Sequence, residues 1–237
     1  MPASFSPSPV RPGYLVMFPH AGASGSYFRE WADLLPADAG LLAATYPGRS
    51  YRADEPLLED IEVLAGELAG ELDQMGGRQV YFGHSLGALV AYQVALRAAR
   101  PPEAIVVSAC DIPRAPHLRR GGRLGDRELW TEVVALGGTP PILVASGEFR
   151  ELAVPVLRSD YRLAASAGPG SRLLDVPVVA CAGSTDPTVS AADMAGWIGL
   201  TEAGFELRVF EGDHFYLETV RTELVELCLR LLRRSEP

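Results

Sequence analysis

The residue pattern best suited to nucleophilic chemistry in this sequence is a serine between two glycines, Gly83-His84-Ser85-Leu86-Gly87. It follows an apolar run at 80–82 and opens a stretch with helical periodicity, the strand–turn–helix setting in which a G-x-S-x-G serine becomes a nucleophile. Flanking glycines leave room for a sharp turn with strained backbone angles. Such a turn lifts the Ser85 hydroxyl above a sheet. The helix starting at Leu86 brings its positive end and free N–H groups to a developing oxyanion.

A serine nucleophile needs a base, and the chain has four histidines. His84 lies inside the turn, next to the serine; His117 sits in an Arg-rich loop; His20 precedes Ala21-Gly22, where it is placed to shape a loop. His214, in Glu211-Gly212-Asp213-His214-Phe215 after the last strand-like run, is expected to be the base. Its position fits the chain order of serine, acid, histidine. Two carboxylates compete for the orienting role, because Asp111 and Asp186 each follow a strand candidate where catalytic loops gather. Asp186, in Gly183-Ser184-Thr185-Asp186-Pro187, is favoured; Asp213 is too close in sequence to His214. The small residues of Pro19-His20-Ala21-Gly22-Ala23-Ser24-Gly25 allow close backbone approach, so the N–H groups of Ala21 and Leu86 are the expected oxyanion donors.

These residues need a scaffold that brings distant loops to one place. Apolar runs at 14–18, 41–45, 80–82, 104–110, 176–182 and 205–210 read as strands, mostly without alternation, as in parallel strands covered on both faces. Between them, Ile61, Leu64, Ala65, Leu68, Leu72 and Met75 form one helical stripe, and Leu86, Leu89, Ala91, Val94, Ala95 and Ala98 another. A last helix is expected over 219–232. Alternating strands and helices imply an α/β architecture with a mostly parallel central sheet flanked by helices. Residues 113–170 break the rhythm, with helical patterns near 128–136 and 149–165, and read as a helical lid insertion. The core then comprises 13–112 and 171–237, and the Pro- and Ser-rich residues 1–12 read as a disordered N-terminal arm.

Composition closes off other chemistries. All 21 basic residues are Arg, and neither Lys nor Asn occurs, so no Schiff-base lysine, P-loop lysine, Cys-His-Asn triad or N-glycosylation site exists. A net charge of −9 opposes binding to nucleic acid and anionic membrane. The three cysteines, Cys110, Cys181 and Cys228, lie far apart in apolar runs, with neither metal-ligand spacing nor a disulfide pattern. No secretion signal or apolar stretch of membrane-spanning length is present, and a cytoplasmic, monomeric protein is expected.

Several segments together resemble the type II, or editing, thioesterases of polyketide and nonribosomal peptide synthesis. They are Phe18-Pro19-His20-Ala21-Gly22, Tyr46-Pro47-Gly48-Arg49, the Ser85 turn, Leu136-Gly137-Gly138-Thr139-Pro140, Ala182-Gly183 with Asp186-Pro187, and Asp213-His214-Phe215-Tyr216-Leu217. The resemblance spans about residues 13–233 and implies an α/β-hydrolase fold. It also implies Ser85 as nucleophile, His214 as base, Asp186 as acid, and Ala21 and Leu86 at the oxyanion hole. Chain-releasing relatives place the acid one strand earlier, which would be Asp111. Two residues depart from the family pattern, Ala23 for a usual Gly and Leu86 for a usual Met. The implied reaction is hydrolysis of acyl groups from the 4′-phosphopantetheine arm of a carrier protein, with no cofactor or metal of the enzyme's own.

A carboxylesterase or lipase acting on small free esters would use the same triad, differing only at the lid and entrance. A noncatalytic binding module would need a broken triad. The arginines Arg114, Arg119, Arg120 and Arg123, with no acidic residue from 113 to 125, form a candidate docking patch for an acidic carrier protein.

Overall fold

The computed structural model describes residues 4–5, 9–111, 120–167 and 172–233. Its strands are β1 (Gly13–Phe18), β2 (Ala39–Ala43), β3 (Arg78–His84), β4 (Ala104–Ser108), β5 (Val178–Gly183) and β6 (Phe205–Phe210). Its α-helices are α1 (Ile61–Gln74), α2 (Leu86–Ala95), α3 (Asp126–Ala135), α4 (Pro141–Val144), α5 (Gly147–Ser166), α6 (Ala191–Met194) and α7 (Arg221–Arg233). The strands form one sheet in the order β2-β1-β3-β4-β5-β6, with every neighbouring pair parallel.

Why the strands read as unbroken apolar runs follows from the two layers around them. Leu15, Met17, Val80, Phe82, Val106, Val179 and Cys181 face the layer holding α7 and a 3-10 helix at Gly25–Leu34. The residues between them, Tyr14, Val16, Tyr81, Ile105, Val107 and Ala180, face α1 and α2 on the other side. Alternate side chains point to opposite faces, and both faces are dry. Edge strand β6 is the exception, with Leu207 and Val209 exposed.

The expected elements appear with shifted ends: β2 begins two residues earlier than its apolar run, and β4 stops at Ser108. The helical segment between β4 and β5 holds α3, α4 and α5, and α5 runs for 20 residues through Pro155. Periodicity missed the 3-10 helices at Gly25–Leu34 and Ala195–Leu200, although Trp31 and Trp197 anchor them in the core. Part of the expected disordered arm is docked. The Ser4 N–H donates to the Glu71 carboxylate at 2.8 Å, and Phe5 is buried in an antiparallel bridge to Ala44. The buried Phe5 ring and the hydrogen bonds of Ser4 to Glu71, Arg52 and Thr45 together hold that point of a Pro- and Ser-rich stretch to the core.

Because the strands are parallel, their carboxyl ends share one edge of the sheet. His20 follows β1, Ser85 follows β3, Asp111 follows β4, Asp186 follows β5 and His214 follows β6. The topology alone gathers the candidates.

Candidate active site

Ser85 sits between β3 and α2 at φ 53° and ψ −119°, a left-handed conformation that a residue with a side chain adopts only under constraint. The constraint is steric. A Cβ at Gly83 would fall 2.1 Å from the Gly87 carbonyl oxygen, and one at Gly87 would fall 1.9 Å from that of Phe18. Only glycines allow β1, β3 and α2 to approach this closely. The Ser85 N–H donates to the Ser108 carbonyl at 2.8 Å, which fixes the turn against β4.

Of the competing carboxylates, Asp186 meets His214. Its Oδ2 lies 2.8 Å from His214 Nδ1, and both side chains are buried. Burial alone would raise the Asp186 carboxyl, but hydrogen bonds from His214 and Thr188 outweigh it and hold the group below its usual range. Thr188 is a residue the sequence reading missed. Its N–H and hydroxyl both donate to Asp186 Oδ1 at 2.8 Å, with the Val189 N–H at 3.2 Å, so Oδ2 is left facing the imidazole. The signal was available: an aspartate closing a turn onto a hydroxyl two residues later is a local Asx arrangement. Asp111 Oδ1 is buried and makes no hydrogen bond among the described residues, and Asp213 caps its own turn through the Phe215 N–H at 2.8 Å.

His84 is buried with its Nδ1 2.9 Å from Ser108 Oγ, which in turn lies 2.7 Å from the Tyr216 hydroxyl. Burial, then the neighbouring His214 and His20, pulls the His84 pKa well down. His20 is held among Tyr27, His84 and Phe215, and burial with the charges of His214 and Arg49 pulls it down to about 3. Both rings are therefore neutral near pH 7. His117, with Arg114 and Arg119, lies outside the described residues. Arg120 is ion-paired with Glu132 on α3, and Arg123 is exposed.

The Ala21 and Leu86 N–H groups have no acceptor among the described residues. Next to Ala21, Gly22 turns at φ +81° and its N–H donates to Asp160 Oδ2 on α5 at 2.7 Å. Asp160 is ion-paired with Arg49, whose Tyr46-Pro47-Gly48-Arg49 segment was recognised in sequence without a role for the guanidinium. A lone carboxylate among the buried positions Leu157, Tyr161 and Ala164 of a helix was its visible sign.

Ser85 and His214 line one cavity of about 360 Å³. Ala21 and Phe215 share its lining. The helices between β4 and β5 line it with apolar side chains, including Trp130 and Val133 of α3 and Phe149 and Leu157 of α5.

The thioesterase domain model matches residues 14–232. The chain belongs to the thioesterase family. Thioesterase PikA5 from Streptomyces venezuelae is 37% identical over 220 residues, covering 90% of this chain and 78% of that protein. Among solved structures, the type II thioesterase BorB from the borrelidin biosynthetic cluster is 34% identical at a TM-score of 0.82, covering 95% and 96% of the two chains. The thioesterase RedJ from the prodiginine pathway of Streptomyces coelicolor is 29% identical at a TM-score of 0.85, covering 95% and 90%. The protein is thus a thioester hydrolase with the α/β-hydrolase fold. No described helix of this thioesterase is long and apolar enough to cross a membrane.

Proposed function

We propose that this thioesterase removes acyl groups from the phosphopantetheine arm of carrier proteins in polyketide or nonribosomal peptide synthesis, clearing stalled or aberrant units. Ser85 is the nucleophile: its Oγ attacks the thioester carbonyl while His214 takes its proton. Asp186 holds His214 in the tautomer that accepts that proton and stabilises the imidazolium formed. The Ala21 and Leu86 N–H groups receive the tetrahedral oxyanion. Collapse breaks the carbon–sulfur bond, and the pantetheine thiol leaves with the proton from His214. Water, deprotonated by His214, then attacks the acyl-enzyme, returning the Ser85 hydroxyl and releasing a carboxylic acid. No cofactor takes part, because the pantetheine belongs to the substrate, and a cytoplasmic location suits such a partner.

The observation that carries this reading is the cavity over Ser85. Its lining of Trp130, Val133, Phe149 and Leu157 suits an apolar acyl chain, and its volume of about 360 Å³ falls in the range of small-ligand sites. In this reading 113–170 acts as a lid over the acyl chain, and the Arg-rich entry to that segment, from Arg114 and Arg119 to Arg120 and Arg123, meets the acidic carrier. The similarity to type II enzymes over nearly the full length supports the same partner class.

Comparing kcat/KM for an acyl-carrier protein, the matching acyl-pantetheine and the matching ethyl ester tests the reading. Preference in that order is expected. Preference for the ester would make this a small-molecule carboxylesterase.

A further inference from the structure

We infer that Arg49 and Asp160 are a positioning pair that holds the oxyanion loop, so that helix α5 completes the catalytic machinery as well as lining the cavity. This inference rests on the assignment of Ala21 as an oxyanion donor.

The loop at 19–23 is short, and a backbone N–H that must meet an oxyanion cannot also be held by a hydrogen bond of its own. Its neighbours must therefore be fixed instead. The Ala23 N–H closes the loop on the His20 carbonyl at 3.1 Å, and three contacts from outside the loop hold it in place. The Tyr46 hydroxyl donates to the Pro19 carbonyl at 3.0 Å, ahead of Ala21. After it, the Gly22 N–H donates to Asp160 Oδ2 at 2.7 Å, and Arg49 Nη1 donates to the Ala23 carbonyl at 3.2 Å. Arg49 also grips both oxygens of the carboxylate, Nη1 to Oδ2 at 2.7 Å and Nη2 to Oδ1 at 2.6 Å. The guanidinium carbon lies 5.3 Å from the centre of the Tyr46 ring. One motif after β2 and one carboxylate from α5 thus clamp the loop on both sides of Ala21.

The placement argues against a purely structural role. Both charged side chains are almost fully buried, at 9% and 2% exposure. A buried ion pair contributes little stability over apolar residues of similar volume, yet breaking it by removing one partner is costly. What this pair supplies that an apolar pair would not is an acceptor for Gly22 and a donor for Ala23. Burial works against the Arg49 charge, but Asp160 more than offsets it and keeps the guanidinium ionised.

The double variant Arg49→Met/Asp160→Leu removes both buried charges together and so avoids stranding either. With an acyl-pantetheine substrate, we expect kcat to fall about 100-fold, as displacement of a catalytic group by about 1 Å does, with KM changed by less than about threefold. Affinity for an alkyl boronic acid, whose boron adds the Ser85 oxygen and places an anionic oxygen in the hole, should fall by a similar factor. Should the double variant not fold, Arg49→Lys retains the charge but not the bidentate fork, and the same split is required of it. A folded variant with near-normal kcat and boronate affinity would overturn the inference, as would a change confined to KM. If instead the unaltered protein were neither inhibited by the boronate nor labelled at Ser85, the Ser85 assignment would fall first.

Discussion

His214 Nδ1 faces Asp186 Oδ2 at 2.8 Å, while the other oxygen of that carboxylate is tied to Thr188 and Val189. The division of labour fixes the imidazole. One carboxylate oxygen is anchored to its own loop, so the second has a single orientation in which to accept a hydrogen bond from Nδ1–H. Replacing Asp186 with Asn should favour the wrong tautomer and lower kcat by about 10³- to 10⁴-fold. Asp111→Asn, at the end of the neighbouring strand, should stay within a small factor. Steady-state rates of the two variants, measured side by side, decide between the acids.

Labelling tests the nucleophile directly. A fluorophosphonate should add once, on the peptide holding Ser85, as read by intact mass and peptide mapping. Ser85→Ala should keep the melting profile and lose turnover by several decades, roughly 10⁴-fold or more. Persisting activity in that variant would remove the triad altogether.

Two glycines with opposite surroundings should respond oppositely to alanine. At Gly87 the added carbon meets the Phe18 carbonyl oxygen at 1.9 Å, backbone against backbone. Gly87→Ala should therefore destabilise by more than about 4 kcal/mol or fail to fold. Gly66 lies in α1 with nothing within 4 Å of the added carbon, so Gly66→Ala should stabilise by about 0.5–1 kcal/mol. Urea midpoints measure both.

Stability should fall on acidification well before the carboxylates titrate. His20, buried and neutral, takes up a proton in the folded protein only near pH 3, whereas the unfolded chain does so near 6.5. Its contribution is fully present above pH 6.5. Between these values unfolding binds a proton, so stability drops by as much as about 1.4 kcal/mol per pH unit as pH decreases. His84, shifted in the same direction, adds to the slope. Denaturation curves from pH 7.5 to 4.5 should show this decline, and His20→Phe should reduce the slope by about one proton.

Docking of an acidic carrier should depend on the Arg-rich segment. The triple variant Arg119→Ser, Arg120→Ser, Arg123→Ser should raise KM for an acyl-carrier protein and flatten its salt dependence, because steering by exposed charge is screened. Its rate on acyl-pantetheine should stay close to normal. Equal losses on both substrates would point to a damaged lid, and no loss would leave these arginines without a docking role.

By itself the sequence determined what local rules control. The glycines around Ser85, the apolar runs too continuous for one-faced strands, and the residues ending each run follow from turn sterics and two-sided burial, both legible at short range. The tertiary structure decided what depends on distance. Asp111 and Asp186 look alike in sequence, each an aspartate just past a strand. The geometry separates them, since Asp186 reaches His214 across the adjacent β5 and β6 loops. The role of Arg49 was equally hidden, because its partner Asp160 lies 111 positions away on a helix whose pattern showed only an apolar stripe. Phe5 likewise gave no periodic signal, being a single ring in a Pro- and Ser-rich stretch. Periodicity reports which face of an element is buried; it does not report which distant residue completes a buried charge, and that pairing is set only when the layers close.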